Sequence, residues 1–165
     1  MDINLLHDKP DFIPQIANWY NNQWGDIDDG AGLQNRDTAA LAIKLADYLN
    51  IDTVPLMLVA TKNRELVAAA QLRFQENKTY PENSHWLGGV YVSESHRGNG
   101  TARTLIESIL SKAKQLGIQQ LYLQTEDLSG GLYKKMGWQA VEEVKYCGVH
   151  VLIMQLDLIP INIRS

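Results

Sequence analysis

The stretch VYVSESHRGNGTARTLIE, Val90 to Glu107, holds two glycines one residue apart, after an arginine and ahead of a helix-like run. Such a turn has two readings: a plain strand-to-helix corner, or a seat for a phosphate. A helix that opens straight after a strand leaves several backbone N–H groups without partners, and its dipole adds partial positive charge at that end. Glycine at 98 and 100 permits close approach and unusual φ angles, and small Ala102 leaves room for a bulky anion. Spacing separates three phosphate patterns. A P-loop needs a lysine after its second glycine, but Gly100 is followed by Thr101 and Ala102. A dinucleotide fingerprint needs a third glycine, and that place is Arg103. The pattern R/Q-x-x-G-x-G/A fits Arg97, Gly100 and Ala102 as they stand, and it is a pattern that can seat a pyrophosphate.

Other reactive side chains are sparse. Cys147 is the single cysteine, so no internal disulfide is expected, and it lacks an adjacent His-Asp pattern, so it is not expected to act as a nucleophile. Metal-ligand spacing is absent and no metal is expected. His150 sits in a closing strand, and His85 with Trp86 precedes the central strand; these read as structural. The formal net charge of -4 argues against nucleic-acid binding and is compatible with a cationic small partner. The start, MDINLLHDKP, lacks a basic leader, and no run approaches the roughly 18 apolar residues of a membrane span. The expected location is cytoplasmic.

The elements that must hold the glycine turn follow from periodicity. With 165 residues, 45% hydrophobic and 21% charged, the chain suits one domain over 1–165. A short first strand is expected at Ile3 to Leu6. DFIPQIANWYNNQW, with Phe12, Ile13, Ile16, Ala17 and Tyr20 at helical steps, predicts a first helix, broken by WGDIDDGAG. RDTAALAIKLADYLN predicts a second, with a polar start at Asp37 and Thr38. VPLMLVAT and ELVAAAQLRF predict a hairpin around Lys62-Asn63-Arg64, QENKTYPENS a loop, and HWLGGVYV the central strand. TARTLIESILSKAKQLG is the strongest helix, stopped at Gly117; IQQLYLQT is a strand, SGGLYKKMG a short helix, and WQAVEEVKYC and VHVLIMQLDL are two closing strands around Gly148. The order β-α-α-β-β-β-α-β-α-β-β predicts a mixed α/β layer structure.

With both motifs in place, the chain resembles the GNAT superfamily of acetyl-CoA-dependent N-acetyltransferases. VYVSESHRGNGTA is similar to that family's CoA motif. LYLQTEDLSGGLYKKMGW is similar to its next motif, a strand, a short helix with a Leu-Tyr pair, then Gly-aromatic. The resemblance implies a central, mostly antiparallel sheet of six to seven strands flanked by about four helices, with splayed central strands. It implies that the backbone of Val90, Tyr91 and Val92 pairs with the pantetheine arm. An N–H near Val92 would polarise the thioester carbonyl. Arg97, Gly98, Asn99, Gly100, Thr101, Ala102 and Arg103 would hold the pyrophosphate. Asp127 stands where the family often has an asparagine contacting CoA, and its carboxylate is repulsive to phosphates.

Tyr133 matches the tyrosine that protonates the departing thiolate, since a phenol of pKa about 10 keeps its proton at neutral pH. The general base is left open among Glu94, Glu126 and Asp127, because Gly88 and Gly89 on the central strand offer none. The acceptor site would be built by the first two helices and the loop QWGDIDDGAG, with Asp26, Asp28 and Asp29 attracting a cation and Trp19, Tyr20 and Trp24 walling it. The implied function is acetyl transfer from acetyl-CoA to a primary amine of a small molecule, by direct attack in a ternary complex. A polyamine or aminoglycoside-like compound would serve as acceptor, on a monomer or homodimer. A peptide acceptor and a non-catalytic CoA or acyl-CoA sensor are the alternatives.

Overall fold

The computed structural model describes residues 1–25 and 37–158. Seven strands, β1 (Asp2–Leu5), β2 (Leu56–Lys62), β3 (Glu65–Phe74), β4 (His85–Val92), β5 (Gln120–Thr125), β6 (Gln139–Tyr146) and β7 (Val149–Asp157), form one sheet in the order β1-β2-β3-β4-β5-β7-β6. Four helices flank it: α1 (Ile13–Trp24), α2 (Thr38–Leu45), α3 (Thr101–Gln115) and α4 (Gly131–Lys135). All neighbours are antiparallel except β4 and β5. The element order is the one the periodicity predicts.

Both faces are covered. Leu105, Ile106, Ile109 and Ala113 of α3 pack with Leu56, Leu58 and Ala60 of β2 on one face. Ile16, Ala17 and Tyr20 of α1 pack with Met57 and Val59 of β2 on the other. A strand buried on both faces reads as a continuous apolar run, as β2 does. Asn63 and Arg64 both take positive φ (53° and 68°), the backbone of a type I′ hairpin turn.

Three element boundaries differ from those expected. Leu6 follows the first strand in a 3-10 turn, yet is fully buried, so its apolar type reads as strand. The second helix is shorter than expected and gives way at Ala46–Tyr48 to a 3-10 turn. Its N-terminus is as expected, because the Asp37 carboxylate accepts from the Ala39 N–H at 2.9 Å. The first helix starts at Ile13, after a 3-10 turn over Pro10–Phe12.

Two features of β4 open the sheet. β4 and β5 pair only at Trp86 and Tyr122, after which the strands diverge. On its other side β4 carries a bulge. Tyr91 pairs with Ala69 and Gly88 with Gln71, so Gly89 and Val90 oppose Ala70 alone. Gly89 sits at φ +55°, and a Cβ there would lie 2.6 Å from the Tyr20 hydroxyl and 2.7 Å from the Gln71 amide carbon. Both backbone and space demand glycine.

Candidate active site

The splay between β4 and β5 opens into a cavity of about 820 Å³, walled by α1, α2, the β3–β4 loop, the ends of β4 and β5, α4 and the β6–β7 turn. Val90 and Leu123 line it from the two diverging strands, Tyr133 from α4, and Tyr20 and Trp24 from α1. Beyond Trp86 the edge of β4 facing β5 has no strand partner. Such an edge can accept an extended ligand as an additional strand.

The glycine turn lies at the end of β4. Gly98 and Gly100 take φ of +81° and +78°, and a Cβ at either would meet nothing within 4 Å. Gly100 is the N-cap of α3 and supplies no side chain, so no side-chain cap covers the helix's first N–H groups. The Thr104 N–H makes the first helical bond, to the Gly100 carbonyl at 3.1 Å. Asn99 and Arg103 are exposed, Ala102 is packed against the core, and buried Thr101 directs its hydroxyl at the His96 carbonyl, 3.4 Å away. Arg97 braces the turn: its Nε donates to the Val92 carbonyl at 2.8 Å and its guanidinium lies 5.3 Å from the Tyr91 ring centre. Tyr91 in turn stacks on Trp19 at 4.8 Å and meets Trp24 edge-on at 6.4 Å. The open glycines and uncapped helix start suit an anion the size of a pyrophosphate.

Tyr133 sits 6.2 Å from Trp138 in a T-shaped contact. Burial, and then the charge of Glu76, push its hydroxyl up to about 12. Glu76 stands in the QENKTYPENS loop between β3 and β4. Its carboxylate occupies the space a side chain at Gly88 would take, in contact with the strand at the splay. Burial raises its pKa above the ordinary carboxylate range, against the opposing Arg73 charge and the Gln124 amide.

The loop presenting Glu76 is anchored on both sides. Tyr80 packs on Trp86 at 5.2 Å and Tyr122 at 5.1 Å, and donates to the Glu142 carboxylate at 2.6 Å. Fully buried Asn77 donates to the Gln124 amide oxygen at 3.2 Å and accepts from the Thr79 N–H and hydroxyl. The Lys78 N–H donates to the Tyr146 hydroxyl at 3.0 Å. The one local signal is the pair of adjacent glycines in the central strand, which marks a place where another group can approach the backbone closely but does not say which.

The remaining expected residues divide. Glu126 and Asp127 line the cavity, and Glu94 does not. Asp127 is exposed, and its Oδ1 accepts from the Ser129 N–H at 3.0 Å and hydroxyl at 2.6 Å, bonds that lower its pKa and shape the turn into α4. Asp26, Asp28 and Asp29 lie outside the described residues. His150 is exposed and 3.4 Å from Glu143; Trp86 is fully buried and donates to the Ser84 hydroxyl at 2.8 Å.

An open mixed sheet with splayed parallel central strands, and a glycine turn at the splay, define a GNAT-type acetyltransferase fold. The chain belongs to the Acetyltransferase (GNAT) family, whose profile matches residues 13–138. Among curated proteins none matches the sequence. Solved structures share the fold. An aminoglycoside 6'-N-acetyltransferase complexed with coenzyme A is 15% identical with a TM-score of 0.73, over 97% of this chain and 98% of that one. The ribosomal-protein-alanine N-acetyltransferase of Brucella melitensis is 19% identical with a TM-score of 0.74, over 95% and 99%. The yncA protein of Salmonella typhimurium, solved with acetyl-CoA as its cofactor, is 20% identical with a TM-score of 0.68, over 95% and 93%. Among the described residues no helix is long and apolar enough to cross a membrane.

Proposed function

We propose that this protein transfers the acetyl group of acetyl-CoA to a primary amine of a small-molecule acceptor, by direct attack within a ternary complex. One observation carries the reading: a carboxylate with a raised pKa, Glu76, and a phenol, Tyr133, line one cavity at the splay, close enough for the charge of one to act on the other. An amine must lose a proton to attack, and a departing thiolate must gain one.

Acetyl-CoA supplies an acyl group activated as a thioester. The uncapped start of α3 and the open turn from Gly98 to Arg103 suit its pyrophosphate, and the unpaired edge of β4 from Leu87 to Val92 suits its pantetheine arm. An N–H near Val92 would polarise the carbonyl oxygen. Glu76 takes the proton of the attacking amine, and Tyr133 gives one to the departing sulfur. Arg97, bonded to the Val92 carbonyl, keeps the turn in register with the strand. Trp24 walls the acceptor side.

The test is a calorimetric titration with acetyl-CoA. Saturable binding near one equivalent, lost in Gly100→Glu, is expected, followed by thiol release on addition of amines. No binding at millimolar concentration would overturn the reading.

A further inference from the structure

The acceptor half of the cavity contains a cation that the reaction itself does not use. Arg73, next to last in β3 and paired with Trp86 near the start of β4, lines the cavity. Its Cδ would lie 3.2 Å from a Cβ at Gly88, the same glycine against which Glu76 packs. Its Nε donates to the neighbouring Phe74 carbonyl at 3.3 Å. Among the described residues no carboxylate stands within ion-pair distance of the guanidinium. Its charge nevertheless reaches Glu76, Tyr48 and Tyr146, which come from three separate walls. Lys78 lines the same space.

A guanidinium taken partly out of water stays costly until an anion meets its fork. A simple polyamine would bring more positive charge against it. The fitting ligand places its amine at Glu76 and a planar anion at Arg73, with the two groups as close together as the two side chains that flank Gly88. In an α-amino acid one carbon separates amine and carboxylate.

We propose that the acceptor is a free α-amino acid, its amine held at Glu76 and its carboxylate held by Arg73. This rests on the acetyltransferase reading above and narrows its substrate class. It turns the site away from the purely cationic acceptor that Asp26 and Asp28 suggest in the sequence.

The test compares thiol release from acetyl-CoA with two pools at equal concentration, the common α-amino acids and their α-carboxamides, which keep amine and side chain but lose the anion. The expected result is release at least about tenfold faster with the acids, the scale of one charge-assisted bidentate contact. Arg73→Gln is expected to abolish that preference through KM for the acids, while acetyl-CoA binding by calorimetry persists and shows the variant folded. Lys78→Gln is expected to leave most of the preference intact.

Equal or faster release with the amides overturns the proposal and leaves the acetyltransferase reading standing. So does failure of both pools in a protein that binds acetyl-CoA. An equal loss of kcat for acids and amides in Arg73→Gln also overturns it, because Arg73 would then act only on Glu76. Absence of acetyl-CoA binding overturns the parent reading, and this one with it.

Discussion

Glu76 carries a burden that a surface carboxylate does not. Its pKa is raised by burial, so the folded protein holds the Glu76 proton more tightly than the unfolded chain does. Stability from this group is therefore fully present below the unfolded value and lost as pH rises through the folded one. Glu76→Gln is expected to raise the melting temperature at neutral pH and to leave it unchanged in acid, below the ordinary carboxylate range. The same substitution is expected to lower kcat/KM for the amine by about 10²–10⁴-fold, the range of general-base catalysis. It is also expected to erase the acidic limb of the pH–rate profile, which in the unaltered protein lies above the usual carboxylate range. Stopped-assay thiol release across pH reads both effects.

Tyr133 is held protonated up to about 12, so no alkaline loss is expected at ordinary assay pH. Tyr133→Phe is expected to lower kcat by about 10²-fold with the acetyl-CoA affinity kept, and unchanged turnover would remove its role as acid.

At the scale of elements, β4 does two things with adjacent glycines. Gly88 gives up its side-chain space to the Glu76 carboxylate. Gly89 forms the bulge, with the Tyr20 hydroxyl bonded to its carbonyl at 2.6 Å. The two should therefore fail differently. Gly88→Ala meets the movable end of a glutamate, so the protein is expected to fold and to lose activity. Gly89→Ala forces a Cβ against Tyr20 and Gln71 at positive φ, and is expected to cost about 1–3 kcal/mol in chemical denaturation. Equal stability for both variants would contradict this division.

Much of this was readable in the sequence, because each element carried its own period and its own breakers. The strand before Arg97, the long helix after Gly100 and the short helix bearing Tyr133 all follow from local pattern. Glu76 was not readable, since its position depends on Tyr80 reaching Trp86, Tyr122 and Glu142 across the sheet. Gly88 and Gly89 offer no acid of their own, and the absent side chain at Gly88 is what makes room for the Glu76 carboxylate. The motif places Arg97 among the residues of the pyrophosphate turn, and its Nε donates to the Val92 carbonyl.

For the whole molecule, the two cores that carry helices share one sheet, and a third cluster around Trp86, Val151 and Ile153 packs on it among the described residues. The larger joins α3 and α4 to the sheet, and the smaller joins α1 and α2. Leu105 is fully buried in the larger core at the start of the helix whose N-terminus bounds the glycine turn. Leu105→Ala is expected to cost about 2–5 kcal/mol, measured by denaturant unfolding. α2 ends in a short 3-10 turn, and α1 ends at Trp24 beside the cavity, so the acceptor side rests on the smaller core while the turn and Tyr133 rest on the larger.

The anchored loop between β3 and β4 has a consequence for how such a protein changes over time. The strand supplies only a vacancy at Gly88, and the carboxylate that fills it arrives from a separate segment pinned at Asn77 and Tyr80. Reach, proton affinity and neighbouring charge can then be altered by exchanging a few loop residues, with every rung of the sheet left in place. The carboxylate and the sheet that makes room for it are inherited on different pieces of chain, joined at the few loop residues that pack on the sheet.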